Sequence, residues 1–243
     1  MSNRYFTPKT FTFLSRLARN NNRDWFHENK PAYEATIRTP ALNFITDFSD
    51  ELMNISSHFT ALPKKVGGSL IRVNRDLRFG KDKRPYKTNI GIQFRHEAGK
   101  DIHAPGFYVH IENGACFIGV GIWRPDSKTL GKIRDRMVEK PEDWSALIGG
   151  EQGELSLLNR ESPGAEIFNS PFKLEGDSLI TAPRGYAKDH PLIEDLRRKD
   201  FIAIAHVSDE FMCSKNLTSQ VAQYFSNTSA FMQFLCKAQG VRF

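Results

Sequence analysis

Seven basic residues and two acidic ones are concentrated between Arg72 and Lys87. This stretch carries a net charge of +5, almost all of the +6 of the whole chain. Arginine presents a rigid fork of N–H donors that matches the paired oxygens of a phosphate or a carboxylate. A basic excess confined to one place predicts a local site for an anion, whereas an even excess would favour a nucleic-acid-binding surface.

Residues 72–86 form what we call the basic motif. Asp76 is placed to orient a guanidinium, and the aromatic residues are placed to anchor the segment to a core. The alternative is a solvated basic face, or an Arg–Asp–Tyr network that holds the segment to the body of the protein. If the motif is a site, its predicted ligand-binding side chains are those of Arg72, Arg75, Arg78, Phe79, Lys83 and Tyr86.

A second candidate site lies on a predicted β-hairpin. The dipeptide Asn113-Gly114 separates two apolar runs at residues 107–112 and 115–123, which is a strong hairpin signal. A two-residue turn would place apolar residues opposite one another on a single face that points to the core. The predicted pairs are Phe107 with Val120, Val109 with Ile118, and Ile111 with Cys116.

The other face of this hairpin combines glycines with polar and aromatic residues. Glycine inside a strand often marks the close approach of a ligand or of another backbone. The pattern predicts a glycine floor for a small ligand, with Tyr108, His110 and Trp123 as its walls. The alternative is that a helix packs on the glycines and that His110 is hydrogen-bonded inside. The residues of this face are Tyr108, His110, Glu112, Phe117, Gly119, Gly121 and Trp123, with Gly91 on a neighbouring strand.

Periodicity along the chain predicts an α+β fold in one domain, residues 1–243. Apolar residues at helical spacing predict N-terminal helices over about residues 8–56, including one long helix from Pro40 to Ile55. Alternation predicts a central antiparallel sheet over about 68–123. Further helices and a long irregular excursion would occupy about 125–243, and the helices would pack mainly on one face of the sheet.

Several classes of protein are not favoured by this sequence. No apolar run reaches the length of about 18 residues that spans a bilayer, so no membrane association is expected. The three cysteines are odd in number and widely spaced, which is typical of free thiols in a reducing compartment. We therefore expect a cytoplasmic protein. We expect no metal site, because Pro105 and a glycine-bearing loop separate the histidines His96, His103 and His110.

The basic motif also resembles the signature of the family called domain of unknown function 2461. The match falls on Arg72, Arg75, Asp76, Arg78, Phe79, Asp82, Lys83 and Tyr86. Other similar positions are Tyr108, His110, Gly121, Pro125, Arg134, Lys199 and the Trp25-Phe26 pair, so the resemblance covers most of the chain. It implies one folded unit and no particular activity, cofactor or catalytic residue.

Three functions follow from these residues. The first is the binding of a phosphate-bearing or other anionic small molecule by the basic motif, with nucleic acid as a less favoured ligand. The second is an enzyme acting on an anionic substrate, with His110 or Asp76 as the acid or base and Tyr86 as a proton donor. The third is a structural or adaptor protein in which the motif is a network of internal contacts. The sequence leaves the cofactor and the oligomeric state open.

Overall fold

The computed structural model describes residues 5–78, 82–99, 104–148, 154–155 and 172–243. It shows the expected α+β architecture, with an antiparallel sheet and with helices before and after it in sequence. The strands are β1 (Phe59–Thr60), β2 (Ile90–His96), β3 (Gly106–Ile111), β4 (Phe117–Ile122), β5 (Lys173–Glu175) and β6 (Phe201–His206). The helices are α1 (Pro8–Arg19), α2 (Arg23–Glu28), α3 (Lys30–Tyr33), a π-helical turn (Glu34–Arg38), α4 (Thr39–Asp47), α5 (Ser49–Ile55), α6 (Ser127–Glu139), α7 (Pro141–Leu147), α8 (Ile193–Leu196), α9 (Asp209–Met212), α10 (Leu217–Asn227) and α11 (Ser229–Gln239).

Local signals in the sequence set the ends of the first two helices. Pro8 opens α1, where its missing N–H costs nothing, and Asn20 ends the helix. The side chain of Asn22 accepts a hydrogen bond from the backbone of Trp25 and so caps α2. The helix expected from Pro40 to Ile55 is instead divided into α4 and α5 at Phe48, whose ring is buried against the sheet.

The sheet contains six strands among the described residues, in the order β1-β2-β3-β4-β6-β5, and all neighbours are antiparallel. The predicted hairpin register is correct for two of its pairs, because Phe107 lies opposite Val120 and Val109 lies opposite Ile118. The third expected pair is absent from the ladder, since β4 begins one residue after Cys116.

Two further details of the sheet differ from the sequence prediction. Residues 70–74 lie within the range predicted for the central sheet but form only isolated bridges at Leu70 and Asn74. The outer strand β5 lies within the C-terminal region for which helices and an irregular excursion are predicted, and residues 149–153 and 156–171 of that region lie outside the described part. A strand of three residues is too short to show a periodic pattern.

One face of the sheet is packed by helices and forms the core. Phe94, Phe107 and Phe225 surround one another there, and Phe225 belongs to α10. Phe48 reaches the same cluster from between α4 and α5. Burying an aromatic ring of this size stabilises a fold by about 2–3 kcal/mol. This aromatic layer therefore holds the sheet and its covering helices together.

Gly121 has a backbone conformation that other residues rarely adopt. Its φ is 119°, and an added Cβ would lie 2.1 Å from the carbonyl oxygen of Phe201 on the neighbouring strand. Glycine is therefore required for β4 to pair closely with β6 at this point.

We expect the substitution Gly121→Ala to lower the free energy of unfolding by more than about 1 kcal/mol, because it forces a left-handed φ on alanine and adds a clash. Gly131→Ala is the matched control, since Gly131 lies in α6 with no atom within 4 Å of an added Cβ. The control should be neutral or slightly stabilising. Urea unfolding of the two variants tests this, and equal midpoints would contradict it.

Candidate functional site

A cavity of about 400 Å³ lies on the sheet face opposite the core. Within the described part of the chain, no lining residue comes from a helix, and β2, β3, β4 and β6 contribute all of the lining except Trp123 and Ile71. Ile71 belongs to the chain segment beside β2, where its N–H donates to the carbonyl of Gly91 at 2.9 Å. The lining residues are Ile71, Gln93, Gly106, Tyr108, His110, Phe117, Gly119, Val120, Gly121, Trp123, Ile202 and Ile204.

Three adjacent glycines form the floor of the cavity. Gly106 pairs with Gly121 across the β3–β4 ladder, and Tyr108 pairs with Gly119. The missing side chains leave a depression between the larger residues of β3 and β6. The structure brings Tyr108, His110 and Trp123 together around these glycines along one cavity.

A constrained turn at Arg124 positions Trp123 at the wall of the cavity. Arg124 has a φ of 48°, unusual for a residue with a side chain, and its N–H donates to the buried carboxylate of Asp200 at 2.7 Å. The guanidinium of Arg124 lies 4.7 Å from the centre of the Trp123 ring. The chain thus turns sharply after β4 and leaves Trp123 partly exposed at the cavity.

The polar end of the cavity is a chain of three side chains. The Tyr108 hydroxyl lies 3.2 Å from His110 Nδ1, and His110 Nε2 lies 3.0 Å from a carboxylate oxygen of Glu112. The hydroxyl of Thr88 donates to the other oxygen of Glu112 at 3.3 Å. Phe117 stacks on the imidazole, with the ring centres 4.4 Å apart. The imidazole is therefore fixed in position from three sides.

Burial controls the protonation of this chain. It lowers the pKa of His110 from the ordinary value of 6.5, and this effect outweighs the opposing hydrogen bond and charge of Glu112. Burial also raises the pKa of Tyr108, and the nearby carboxylate of Glu112 adds to that increase. At neutral pH the site therefore contains a neutral imidazole and a neutral phenol.

The basic motif forms a separate feature, an arm of two paired segments that leaves the sheet before β2. The N–H of Arg75 donates to the carbonyl of Pro85, and the N–H of Lys87 donates to the carbonyl of Val73. Asn74 and Tyr86 form an isolated bridge between the two segments. Phe79, which we predicted to bind a ligand, lies outside the described residues.

The arm satisfies much of its own charge. Arg78 pairs with Asp76 at 2.7 Å, and Asp82 pairs with both Arg75 and Arg84. The hydrogen bonds from Arg78 hold the pKa of Asp76 well below its usual range, so that carboxylate is a weak base. Lys83 is exposed, and its ammonium group donates to the carbonyl of Leu77 at 3.0 Å.

Tyr86 anchors the arm to the N-terminal helices. Its ring is buried and stacks on Phe26 with the centres 4.0 Å apart. The side-chain amide of Asn21 accepts a hydrogen bond from the N–H of Tyr86 and donates one to its carbonyl oxygen. These contacts favour a positioning role for Tyr86 over direct contact with a ligand.

Arg72 and Lys87 lie at the base of the arm and differ from the other motif cations. Neither has a carboxylate partner within ion-pair distance among the described residues. Burial lowers the pKa of Lys87, and the positive charges of Arg72 and Arg75 lower it further. Like charges therefore converge at this point. Lys87 belongs to the basic excess of the sequence but was not among the predicted site residues.

The structure thus divides the predicted site residues into two groups. Tyr108, His110 and Trp123 meet at the cavity. Arg72, Arg75, Asp76, Arg78, Lys83 and Tyr86 lie on the arm. Ile202 and Ile204 were missed, although the unbroken apolar run of β6 signals a strand with two apolar faces.

Comparison with protein families assigns this chain. Residues 9–234 match the family described as conserved hypothetical protein, domain of unknown function 2461. The chain belongs to this family. No curated protein and no solved structure matches the chain. The family assignment agrees with the resemblance found in the basic motif and carries no activity with it.

Two further features are absent from the described ranges. No helix there is both long and apolar enough to cross a membrane. No group of three or more potential metal-ligating side chains was found in the same part of the chain.

We expect Tyr86→Ala to lower the free energy of unfolding by about 3 kcal/mol, because it removes a buried aromatic ring. Arg84→Ala is the control on the same arm, since this side chain is exposed and its pair with Asp82 is solvated. Chemical denaturation should show a large shift for the first variant and almost none for the second. Equal shifts would contradict the anchoring role.

Proposed function

We propose that this protein binds a small, mainly apolar ligand on the open face of its sheet. The carrying observation is the cavity of about 400 Å³ with a glycine floor and aromatic walls. Ligand sites in proteins are concave and mostly apolar, with a few placed polar groups. The Tyr108–His110–Glu112 chain supplies such groups at one end of this cavity.

The apolar character of this face supports a ligand. When one face of an antiparallel sheet packs on the core and the other is not covered, the uncovered face normally carries polar residues. Here Phe117, Ile202 and Ile204 lie on that face, and Trp123 is 43% exposed beside them. Contiguous exposed apolar surface on a monomer is unusual and marks binding sites. A flat ring laid on the glycine floor would bury these side chains.

Filling the floor tests the proposal. An added Cβ at Gly119 meets only ordinary van der Waals contacts, the nearest at 3.5 Å from the ring of Phe117. We expect Gly119→Val to fold normally and to weaken the binding of naphthol, a flat apolar probe, by at least about tenfold. Isothermal titration calorimetry measures the affinity, and burial of apolar surface should also give a negative heat-capacity change.

Gly131→Ala, on helix α6 away from the cavity lining, is the control and should bind naphthol as the unaltered protein does. Absence of naphthol binding to the unaltered protein, or equal binding by Gly119→Val, would overturn the proposal. Circular dichroism and thermal unfolding establish that both variants are folded.

A second proposed site is the base of the arm, where an anionic group such as phosphate would bind between Arg72 and Lys87. The observation that favours it is the convergence of positive charge at Lys87, whose pKa is lowered by burial and then further by the charges of Arg72 and Arg75. An anion there would relieve this repulsion. The small size of the cluster favours a small anion over a nucleic acid, which needs an extended basic stripe.

We expect inorganic phosphate to raise the thermal unfolding midpoint of the protein, because a ligand that binds only the folded state stabilises it. Lys87→Met should abolish this increase, and without phosphate it should be no less stable than the unaltered protein, since a repelled charge is removed. Lys83→Met is the matched control on the arm and should keep the response. If the protein instead binds oligonucleotides with an affinity that falls steeply with salt concentration, nucleic acid is favoured as the ligand of this site.

The cellular location we propose is the cytoplasm. Cys116, Cys213 and Cys236 are all free, which suits a reducing compartment. The adaptor hypothesis is supported by the internal ion pairs of the arm, and the enzyme hypothesis by the neutral, hydrogen-bonded imidazole of His110 at the cavity.

A further inference from the structure

We propose that the polar end of the cavity selects ligands with a hydroxyl or N–H donor on an otherwise apolar ring, and that protonation of His110 removes this selection. The inference rests on the proposed binding of an apolar ligand in the cavity. It goes further by naming the chemical group that the ligand must present and the side chain that accepts a hydrogen bond from it, Tyr108.

Glu112 sets the tautomer of His110. A carboxylate is only an acceptor, so the contact of 3.0 Å requires a proton on His110 Nε2. A neutral imidazole carries one N–H, and burial keeps this imidazole neutral at neutral pH. Nδ1 must therefore be the acceptor. The amide nitrogen of Asn89, a donor, lies 3.4 Å from Nδ1 and agrees with this assignment.

The tautomer of His110 determines the direction in which the Tyr108 hydroxyl donates its proton. Its oxygen lies 3.2 Å from Nδ1, so the O–H donates to the imidazole. The oxygen keeps its acceptor capacity, and its proton is not available to a ligand. Gly91 makes room for this arrangement, since an added Cβ would lie 2.6 Å from the Tyr108 oxygen. A ligand that meets Tyr108 must therefore supply the proton of the hydrogen bond.

Few charged groups face His110. Glu112 precedes the hairpin turn on the same chain segment, and Phe117 covers the imidazole from β4. Beyond Phe117, His206 of β6 lies 3.3 Å from Glu175 of β5. From the β2 side, the nearest polar groups are the neutral side chains of Asn89 and Thr88. The titration of His110 is thus governed by burial and by Glu112.

Protonation of His110 reverses the direction of the hydrogen bond between Tyr108 and His110. An imidazolium carries a proton on Nδ1, which then donates to the Tyr108 oxygen. The phenol proton is released to turn toward the ligand. An acceptor-only ligand, which binds more weakly at neutral pH, would then find a donor.

A matched pair of probes tests the inference, namely naphthol and its methyl ether, which share the ring and differ in the donor. At about pH 8 we expect naphthol to bind about three- to tenfold more tightly, the range of one hydrogen bond. Because burial lowers the pKa of His110, the second measurement needs a pH well below the ordinary histidine value. At about pH 4.5 the ether should gain affinity and the difference should shrink. Calorimetric titration at both values measures it.

The substitution Tyr108→Phe removes the hydroxyl that would accept the ligand's hydrogen bond and keeps the aromatic ring. This variant should bind the two probes equally at both pH values, whereas Gly131→Ala should keep the preference. Equal binding of both probes by the unaltered protein would overturn this inference and leave the proposed function standing. Failure of both probes to bind would overturn the proposed function itself, so the two failures are distinguishable.

Discussion

The pairing of β3 with β4 in one fixed register is the constraint on which the rest of the molecule depends. Because side chains alternate between the two faces of a strand, this register sends Phe107 and Val109 into the core. It sends Tyr108 and His110 to the opposite face together with the glycines of β4. A slip of one residue would exchange the two faces. The core and the candidate site are therefore specified by the same backbone hydrogen bonds.

Much of this arrangement follows from local sequence patterns. The Asn113-Gly114 turn and the alternation around it determine two of the three predicted pairs, the apolar face and the glycine face. Helix ends are equally local, since Asn22 caps α2 through its own side chain. Such features need only neighbouring residues, so one sequence is enough to predict them.

Other features depend on contacts between distant residues and could not be predicted. Asn21 binds the backbone of Tyr86 across 65 positions in the chain, and no local pattern marks that pairing. The composition of the basic motif left two alternatives open, an anion site and an internal Arg–Asp network, and only the structure shows that Asp76 and Asp82 pair with several of its arginines. The division into a cavity and an arm likewise depends on how the segment 69–71 lies beside β2.

Both margins of the described sheet end in very short strands. β1 has two residues and β5 has three, so each offers few backbone groups to another chain. Long, flat outer strands invite strand addition and aggregation, and short ones are a common protection against both. The consequence concerns solubility and assembly. A molecule that exposes apolar side chains in the middle of its sheet can remain dispersed, because its margins provide little template for joining one sheet to the next.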